Sequence, residues 1–258
     1  MNDSAQNDLS KVPAVTLTFW LIKILATTLG ETGGDAVSMS MNLGYVIASI
    51  IFIGIFAAVV AAQVAAKSFH SFLYWAVIVA TTTLGTTLAD FADRSLGIGY
   101  AGGSSLLFIL LMTSLGIWYN AAGSVSVATI TSPNIEMFYW GTILFSQTLG
   151  TALGDWMADT NGLGYEGGAL AFGTGLALVA AGYFFTSVSR TLLFWAAFIL
   201  TRPLGATLGD LLDKPVNHGG FAFSRYSASG ILVALIIACI LFLPQKAGSH
   251  PGQGWSQP

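Results

Sequence analysis

The sequence predicts an all-α integral membrane protein: about eight transmembrane helices in four parallel two-helix repeats, with pseudo-two-fold or pseudo-four-fold symmetry. Three observations predict it. Of 258 residues, 54% are hydrophobic and only 8% charged, against about 25% charged in a soluble domain. Eight apolar segments are each long enough for the roughly 20-residue helix that crosses a hydrocarbon core of about 30 Å. One phrase recurs four times, as "TTLGETGGD", "TTLGTTLAD", "QTLGTALGD" and "RPLGATLGD", ending at Asp35, Asp90, Asp155 and Asp210.

The elements follow in order. Residues 1–12, "MNDSAQNDLSKV", hold two acids and one lysine. They lack a basic leader and a small-residue cleavage pattern, so they read as a disordered tail rather than a signal peptide. The first repeat, 13–66, contains spans 14–33 and 44–66. The second, 67–120, contains 71–90 and 99–119. The third, 121–186, begins with a linker and contains 137–154 and 165–186. The fourth, 187–244, contains 190–210 and 228–244. Residues 245–258 form a second disordered tail. An even number of spans puts both termini on one side. That side holds Lys11, Lys67, Arg190 and Lys246, against Arg94, Lys214 and Arg225 on the other. The basic excess places both termini in the cytoplasm.

An aromatic-Trp pair opens each odd-numbered span: Phe19-Trp20, Tyr74-Trp75, Tyr139-Trp140 and Phe194-Trp195. The pattern Trp-x8-Leu-Gly-x4-Asp holds in all four. Trp20 to Trp140 is 120 residues, and so is Trp75 to Trp195. A two-helix unit was duplicated, and the product was duplicated again. Each unit has two spans, so all copies share one orientation about an axis along the membrane normal. The motif helices are expected to meet near that axis.

Four tandem two-span units, each marked by Trp20, Trp75, Trp140 or Trp195, resemble a bacterial membrane-protein family built of four copies of a repeat of unknown function. The resemblance covers about residues 16–243. It implies the four-unit architecture and a multi-pass location in the bacterial inner membrane. It supplies no activity.

The residues of the phrase carry their own chemistry. Gly30 and Gly34, Gly150 and Gly154, and Gly205 and Gly209 are small-xxx-small pairs; Gly85 is followed by Ala89. Such pairs let helices approach closely in lipid. Each Asp lies about 22 Å along a helix from its Trp. With the Trp residues as interface anchors or cavity linings, the carboxylates lie deep in the membrane. There they are costly and face a bundle interior or a watery cavity. Hydroxyls share their faces: Thr28 and Thr32 before Asp35, Thr83 and Thr87 before Asp90, Thr148 and Thr151 before Asp155, and Thr207 before Asp210. Glu31 departs from its counterparts Thr86, Thr151 and Ala206. Arg202 is a cation inside the seventh span, with Glu31 as its expected partner. Lys23 lies two turns before Glu31. Pro203 is expected to kink its helix and free carbonyls. Asp93, Asp159 and Asp213 read as cap or vestibule residues nearer the interface.

This donor set is hard oxygen. The histidines His70, His218 and His250 fall in turns or tails, and the one cysteine, Cys239, sits in an apolar run. A soft-metal site is therefore not expected, and no covalent cofactor is implied. Net charge is −3 with no basic tract, which argues against nucleic acid. The expected partners are the lipid bilayer and a small cation or proton. The expected function is a secondary transporter or exporter of a small cation, Mn²⁺, Mg²⁺ or Ca²⁺ among them. Asp35, Asp90, Asp155, Asp210 and Glu31 would bind the ion or carry protons. Two alternatives stand beside it: a structural or partner-binding membrane protein, and a Mg²⁺-dependent intramembrane enzyme using Asp90/Asp93 and Asp210/Asp213.

Overall fold

The computed structural model describes residues 9–127, 130, 132–160 and 162–249, which contain eight long helices. These are α1 (Leu17–Asp35), α2 (Gly44–Ala65), α3 (Ser71–Asp90), α4 (Gly99–Ala122), α5 (Pro133–Asp155), α6 (Gly164–Phe185), α7 (Arg190–Asp213) and α8 (Arg225–Phe242). Strands β1 (Leu9–Pro13) and β2 (Ala247–Ser249) flank them.

The odd-numbered helices form a closed inner ring in which α1 packs on α3, α3 on α5, α5 on α7 and α7 on α1. Each even-numbered helix lies outside, against the next odd one: α2 on α3, α4 on α5, α6 on α7 and α8 on α1. This cyclic rule is the pseudo-four-fold symmetry in structural form. Spacing in sequence explains it, because every copy inherits the same two faces.

Six helices are long and apolar enough to cross a membrane: α2, α3, α4, α6, α7 and α8. The other two, α1 and α5, belong to the inner ring and carry more polar groups, among them Lys23, Glu31, Glu136 and Gln147. Protein, rather than lipid, covers those groups: all four are at most 3% exposed, and Glu136 is ion-paired with Lys11 of β1 at 2.5 Å. The outer helices are largely uncovered by protein and present Ile50, Phe108, Leu178 and Ile231 outward. Apolar surface of that kind is stable in lipid and costly in water. The chain is a membrane protein.

Glycine makes the ring tight. A Cβ on Gly30 would collide with Thr82, one on Gly150 with Arg202, and one on Gly205 with Thr27. On Gly85 it would lie 3.0 Å from the backbone of Gln147 and Thr148. Thr27, Thr82, Gln147 and Arg202 share one repeat position. Each Leu-Gly glycine thus receives the same position of a neighbouring motif helix, once at every junction of the ring.

Two expectations need correction. The tails are not free throughout: β1 and β2 pair antiparallel, with Leu9 opposite Ser249 and Pro13 opposite Ala247. Both ends emerge on one side, so their backbone groups satisfy each other. Residues 1–8 and 250–258 lie outside the described residues. The marked tryptophans are not lipid-interface anchors either. Trp75, Trp140 and Trp195 are buried, and only Trp20 is partly exposed. They stack with Phe19, Tyr74, Tyr139, Phe194 and Trp118 at one end of the ring, with the Tyr74 and Tyr139 hydroxyls 2.7 Å apart. Aromatic packing closes this end, which we call the aromatic end. The other is the acid end.

Candidate functional site at the acid end of the ring

All four motif aspartates are buried. A bridging cation joins them in pairs. Arg94 Nε lies 3.0 Å from Asp90 Oδ1, and its Nη2 lies 3.3 Å from Asp155 Oδ2. Lys214 Nζ lies 2.9 Å from Asp210 Oδ1 and 2.6 Å from Asp35 Oδ2. Arg94 and Lys214 are 120 residues apart, as are Asp90 and Asp210, and Asp35 and Asp155. The two bridges are therefore pseudo-two-fold mates, and the second duplication brought the network with it. Burial pulls the Lys214 ammonium toward the neutral form, but Asp210, Asp35 and Asp213 push its pKa the other way and prevail, well above the ordinary lysine value.

Local structure sets Arg94 in place on a widened turn, whereas Lys214 caps the α-helix α7. After Asp35, Asp90 and Asp155 the helices widen into π-helical turns over Ala36–Ser40, Phe91–Ser95 and Trp156–Thr160. Such turns are uncommon and often found at functional sites. The position four residues past the Asp is Met39, Arg94, Asp159 and Lys214 in the successive units, so only the even copies supply a cation. A second recurring signal follows ten residues past the Asp. It is a Gly-Tyr pair at 44–45, 99–100 and 164–165, with each glycine at positive φ. Arg94 donates to the Tyr45 hydroxyl at 3.4 Å, and the Tyr100 hydroxyl donates to Asp159 at 3.1 Å. These tyrosines lie outside the Trp-to-Asp phrase, and their constant offset from the Asp is the sequence signal that marks them.

One layer deeper lies a fully buried centre. Arg202 Nη2 is within reach of Thr151 Oγ1 at 2.5 Å, Thr86 Oγ1 at 2.6 Å and Glu31 Oε2 at 3.1 Å. Glu31, Thr86 and Thr151 share one repeat position, so three copies converge on the arginine of the fourth. Helix α7 runs unbroken through Pro203. Gly209 gives Glu31 room: a Cβ there would fall 2.6 Å from the Glu31 Cβ.

The expected hydroxyl stripes do not line the centre as a set. Thr28, Thr83, Thr148 and Thr207 donate to carbonyls of their own helices, at Ile24, Val79, Leu144 and Pro203. Thr87 does the same at Leu84, and Thr32 accepts from Ser229. A threonine in an apolar helix satisfies itself this way whenever no better acceptor is near. Only Thr151 of the expected set faces the charge; Thr86 joins it. Lys23 has no acidic partner among the described residues; its Nζ sits 4.1 Å from the Phe198 ring centroid. The second acids also differ from expectation. Asp93 and Asp213 are buried, the former against Gly103 and the latter 3.1 Å from Arg225 Nε; only Asp159 is exposed.

Seven buried carboxyls thus gather at this end: Glu31, Asp35, Asp90, Asp93, Asp155, Asp210 and Asp213. Four cations face them, namely Arg94, Arg202, Lys214 and Arg225. Oxygens of Glu31, Asp35 and Asp210 lie within 4.8 Å of one another, close enough to share one hard cation. Lys214 is 13% exposed and Arg94 35%, while Arg202 is sealed. The acid end is thus the less covered side of this charge network.

Comparison with curated proteins and with solved structures found no match. A family model matches four times in tandem, over residues 18–69, 73–124, 138–189 and 193–244. These blocks follow the structural units and cover most of the chain. The chain belongs to the family described as Repeat of Unknown Function (DUF347).

Proposed function

We propose that the protein is a secondary transporter of a small hard cation, with the carboxylates of the acid end as its ion- or proton-binding groups. One observation carries the reading: seven buried carboxyls face four cations. A buried carboxylate without a counter-charge is costly, and it is relieved by a proton or a bound cation. A symmetric set of such groups, wet at one end and closed by aromatic packing at the other, suits a one-sided binding state. Glu31, Asp35 and Asp210 form the best-grouped oxygen donors for Mn²⁺, Mg²⁺ or Ca²⁺. No nucleotide-binding fingerprint occurs in the sequence, so an ion gradient is the fitting drive. The inner membrane with both termini cytoplasmic is the matching location, on the basic excess of the terminal side.

The test is flux of Mn²⁺, Mg²⁺, Ca²⁺ and H⁺ into proteoliposomes, comparing the native protein with Asp35→Asn, Asp90→Asn, Asp155→Asn and Asp210→Asn. Selective flux, reduced at least tenfold in variants that still fold, is the expected result. A structural role has its own support, since every motif aspartate is already ion-paired. It requires that the native protein carry no cation and that the Asn variants fail only by losing stability.

A further inference from the structure

Lys23 is a lysine where the repeat calls for a hydrocarbon. Its counterparts are Ile78, Ile143 and Phe198, and all four side chains are fully buried. Its Nζ has no hydrogen-bond partner among the described residues and rests on the Phe198 ring. A packed methionine or isoleucine would serve the fold without the cost of a buried amine. Other unpartnered polar atoms lie one turn further toward the acid end: Ser146 Oγ, both amide atoms of Gln147, and Arg202 Nε, each on a side chain with no exposure. Buried polar atoms are ordinarily satisfied, by protein or by water. Beyond Lys23, toward the other end, the ring is closed by Phe19, Tyr74, Tyr139 and Phe194. Among the described residues, Lys23 is thus the last ionisable side chain of the ring interior before the aromatic closure.

We propose that Lys23 is the proton carrier that couples cation movement to a proton gradient, so that the protein works as a cation/proton antiporter. This rests on the transport reading above. A proton entering by the acid end adds to the lone pair of the Lys23 amine, giving an ammonium. The same N–H bond breaks when the proton leaves, and no electrons change hands. The charged groups of the packed helices set the consequence. Helix α7 brings Arg202, with Arg190, Asp210 and Asp213 toward its ends. Helix α3 brings Tyr74, engaged by Tyr139, and Asp90 at its acid end. Helix α8 brings Arg225, Tyr226 and Cys239. An ammonium at Lys23 therefore adds to the positive charge of Arg202 in a ring whose nearest carboxylate along α1 is Glu31. Eight residues separate Lys23 from Glu31, about 12 Å of helix. At an effective dielectric constant of about 20, unit charges that far apart change an affinity by about tenfold, and a divalent cation doubles the exponent. A bound cation and a protonated Lys23 therefore disfavour each other, which is the coupling that exchange requires.

The test uses the full chain in liposomes loaded with a pH-sensitive dye, under an imposed gradient of Mn²⁺, Mg²⁺ or Ca²⁺. In the native protein, cation entry should drive proton exit. Lys23→Met should reduce that proton counterflow at least tenfold and leave cation exchange at zero gradient within threefold. Lys23→His should restore part of the counterflow, with its pH profile moved to lower pH. A merely structural lysine would not move that profile. Full proton counterflow in Lys23→Met overturns the proposal. If Lys23→Met does not fold, counterflow in Lys23→His with an unmoved pH profile overturns it instead. A native protein that moves protons but no cation, with the protons lost in Lys23→Met, overturns the antiport proposal together with the cation reading and leaves only proton transfer at Lys23. A native protein that moves neither overturns both.

Discussion

The two acid corners of the ring are mates under a shift of 120 residues, and they differ. At one, Arg94 spans Asp90 and Asp155 with two different nitrogens. A guanidinium is a rigid planar fork and stays charged, so this corner resembles a fixed strut. At the other, a single ammonium, Lys214, touches both Asp35 and Asp210. This corner also has Arg225 at 3.6 Å from Asp35, and Glu31 among its oxygens. The buried Arg202–Glu31 pair has Thr82 and Thr151 as its mates. The Arg94 corner joins the second unit to the third, with threonines at the mate positions. The Lys214 corner joins the fourth unit to the first, with the charged pair and a compact cation in a cluster of carboxylates. Symmetry fixed the backbone, and the departures from it mark where chemistry was added.

The largest expected effect comes from breaking the added charge. Arg202→Met leaves Glu31 buried and unpaired, and should cost about 3–5 kcal/mol of stability. Adding Glu31→Gln should recover most of that, because it removes the buried charge that the first change leaves unpaired. Thermal unfolding in detergent of the single and double variants checks both statements. A double variant no more stable than the single would mean that the loss comes from the packing of Arg202 and not from a stranded carboxylate.

The bridging cations come next. Arg94→Met strands two carboxylates at once and should cost about 2–4 kcal/mol, with water reaching the partly exposed corner and softening the loss. Lys214→Met should cost less, about 1–2 kcal/mol, because Arg225 still serves Asp35. Equal losses would erase the distinction between the corners. The Lys214 contribution has a definite pH sense. Its pKa is raised in the folded protein by its carboxylates. The stabilisation is complete below the unfolded lysine value and is lost only as pH rises through the folded one. Denaturation series from neutral to mildly alkaline pH should therefore show no loss traceable to this bridge.

Much of this was legible in the sequence, for a physical reason. Four copies of Trp-x8-Leu-Gly-x4-Asp require equivalent environments, so the ring, its glycine contacts and the common level of the aspartates followed from recurrence. The Arg202–Glu31 pair was legible because a lone cation within a span needs a carboxylate. What one repeat position cannot report is which neighbour it meets. The Trp residues read as interface anchors because that is where Trp usually rests in a membrane. Here the rings pack on Phe19, Tyr74 and Tyr139 instead. The threonine stripe read as a lining because of its spacing with Asp, yet most of those hydroxyls bond to their own helices. The bridges of Arg94 and Lys214 escaped notice because a cation four residues past the Asp occurs in only two copies.

Helix contacts give a smaller effect that separates inner from outer elements. Gly205→Ala would drive a methyl into Thr27 and should cost about 1–3 kcal/mol. Gly173→Ala, on the outer helix α6, meets nothing within 4 Å. It should be neutral or stabilising by a few tenths of a kcal/mol, as Ala is the better helix former. The pair of midpoints in one detergent decides the matter. If the two changes act alike, the ring is not held by close approach at the Leu-Gly glycines.

The smallest effect probes the tyrosines of the acid end, and it is the finest comparison of the copies. Tyr100 donates to Asp159 at 3.1 Å, whereas Tyr45 accepts a long 3.4 Å bond from Arg94. Both bonds have one charged partner and both tyrosines are only partly buried, so the shorter bond of Tyr100 sets the ranking. Tyr100→Phe should cost about 1 kcal/mol and Tyr45→Phe about half of that. The ranking depends on the position four residues past each Asp: the third unit has Asp159 there, and the second has Arg94. Exchanging Asp159 for Asn, with Tyr100 native, should remove most of the difference between the two tyrosine variants. If the ranking survives that exchange, the tyrosines act through packing, and the constant Gly-Tyr offset belongs to the turn rather than to the charge network.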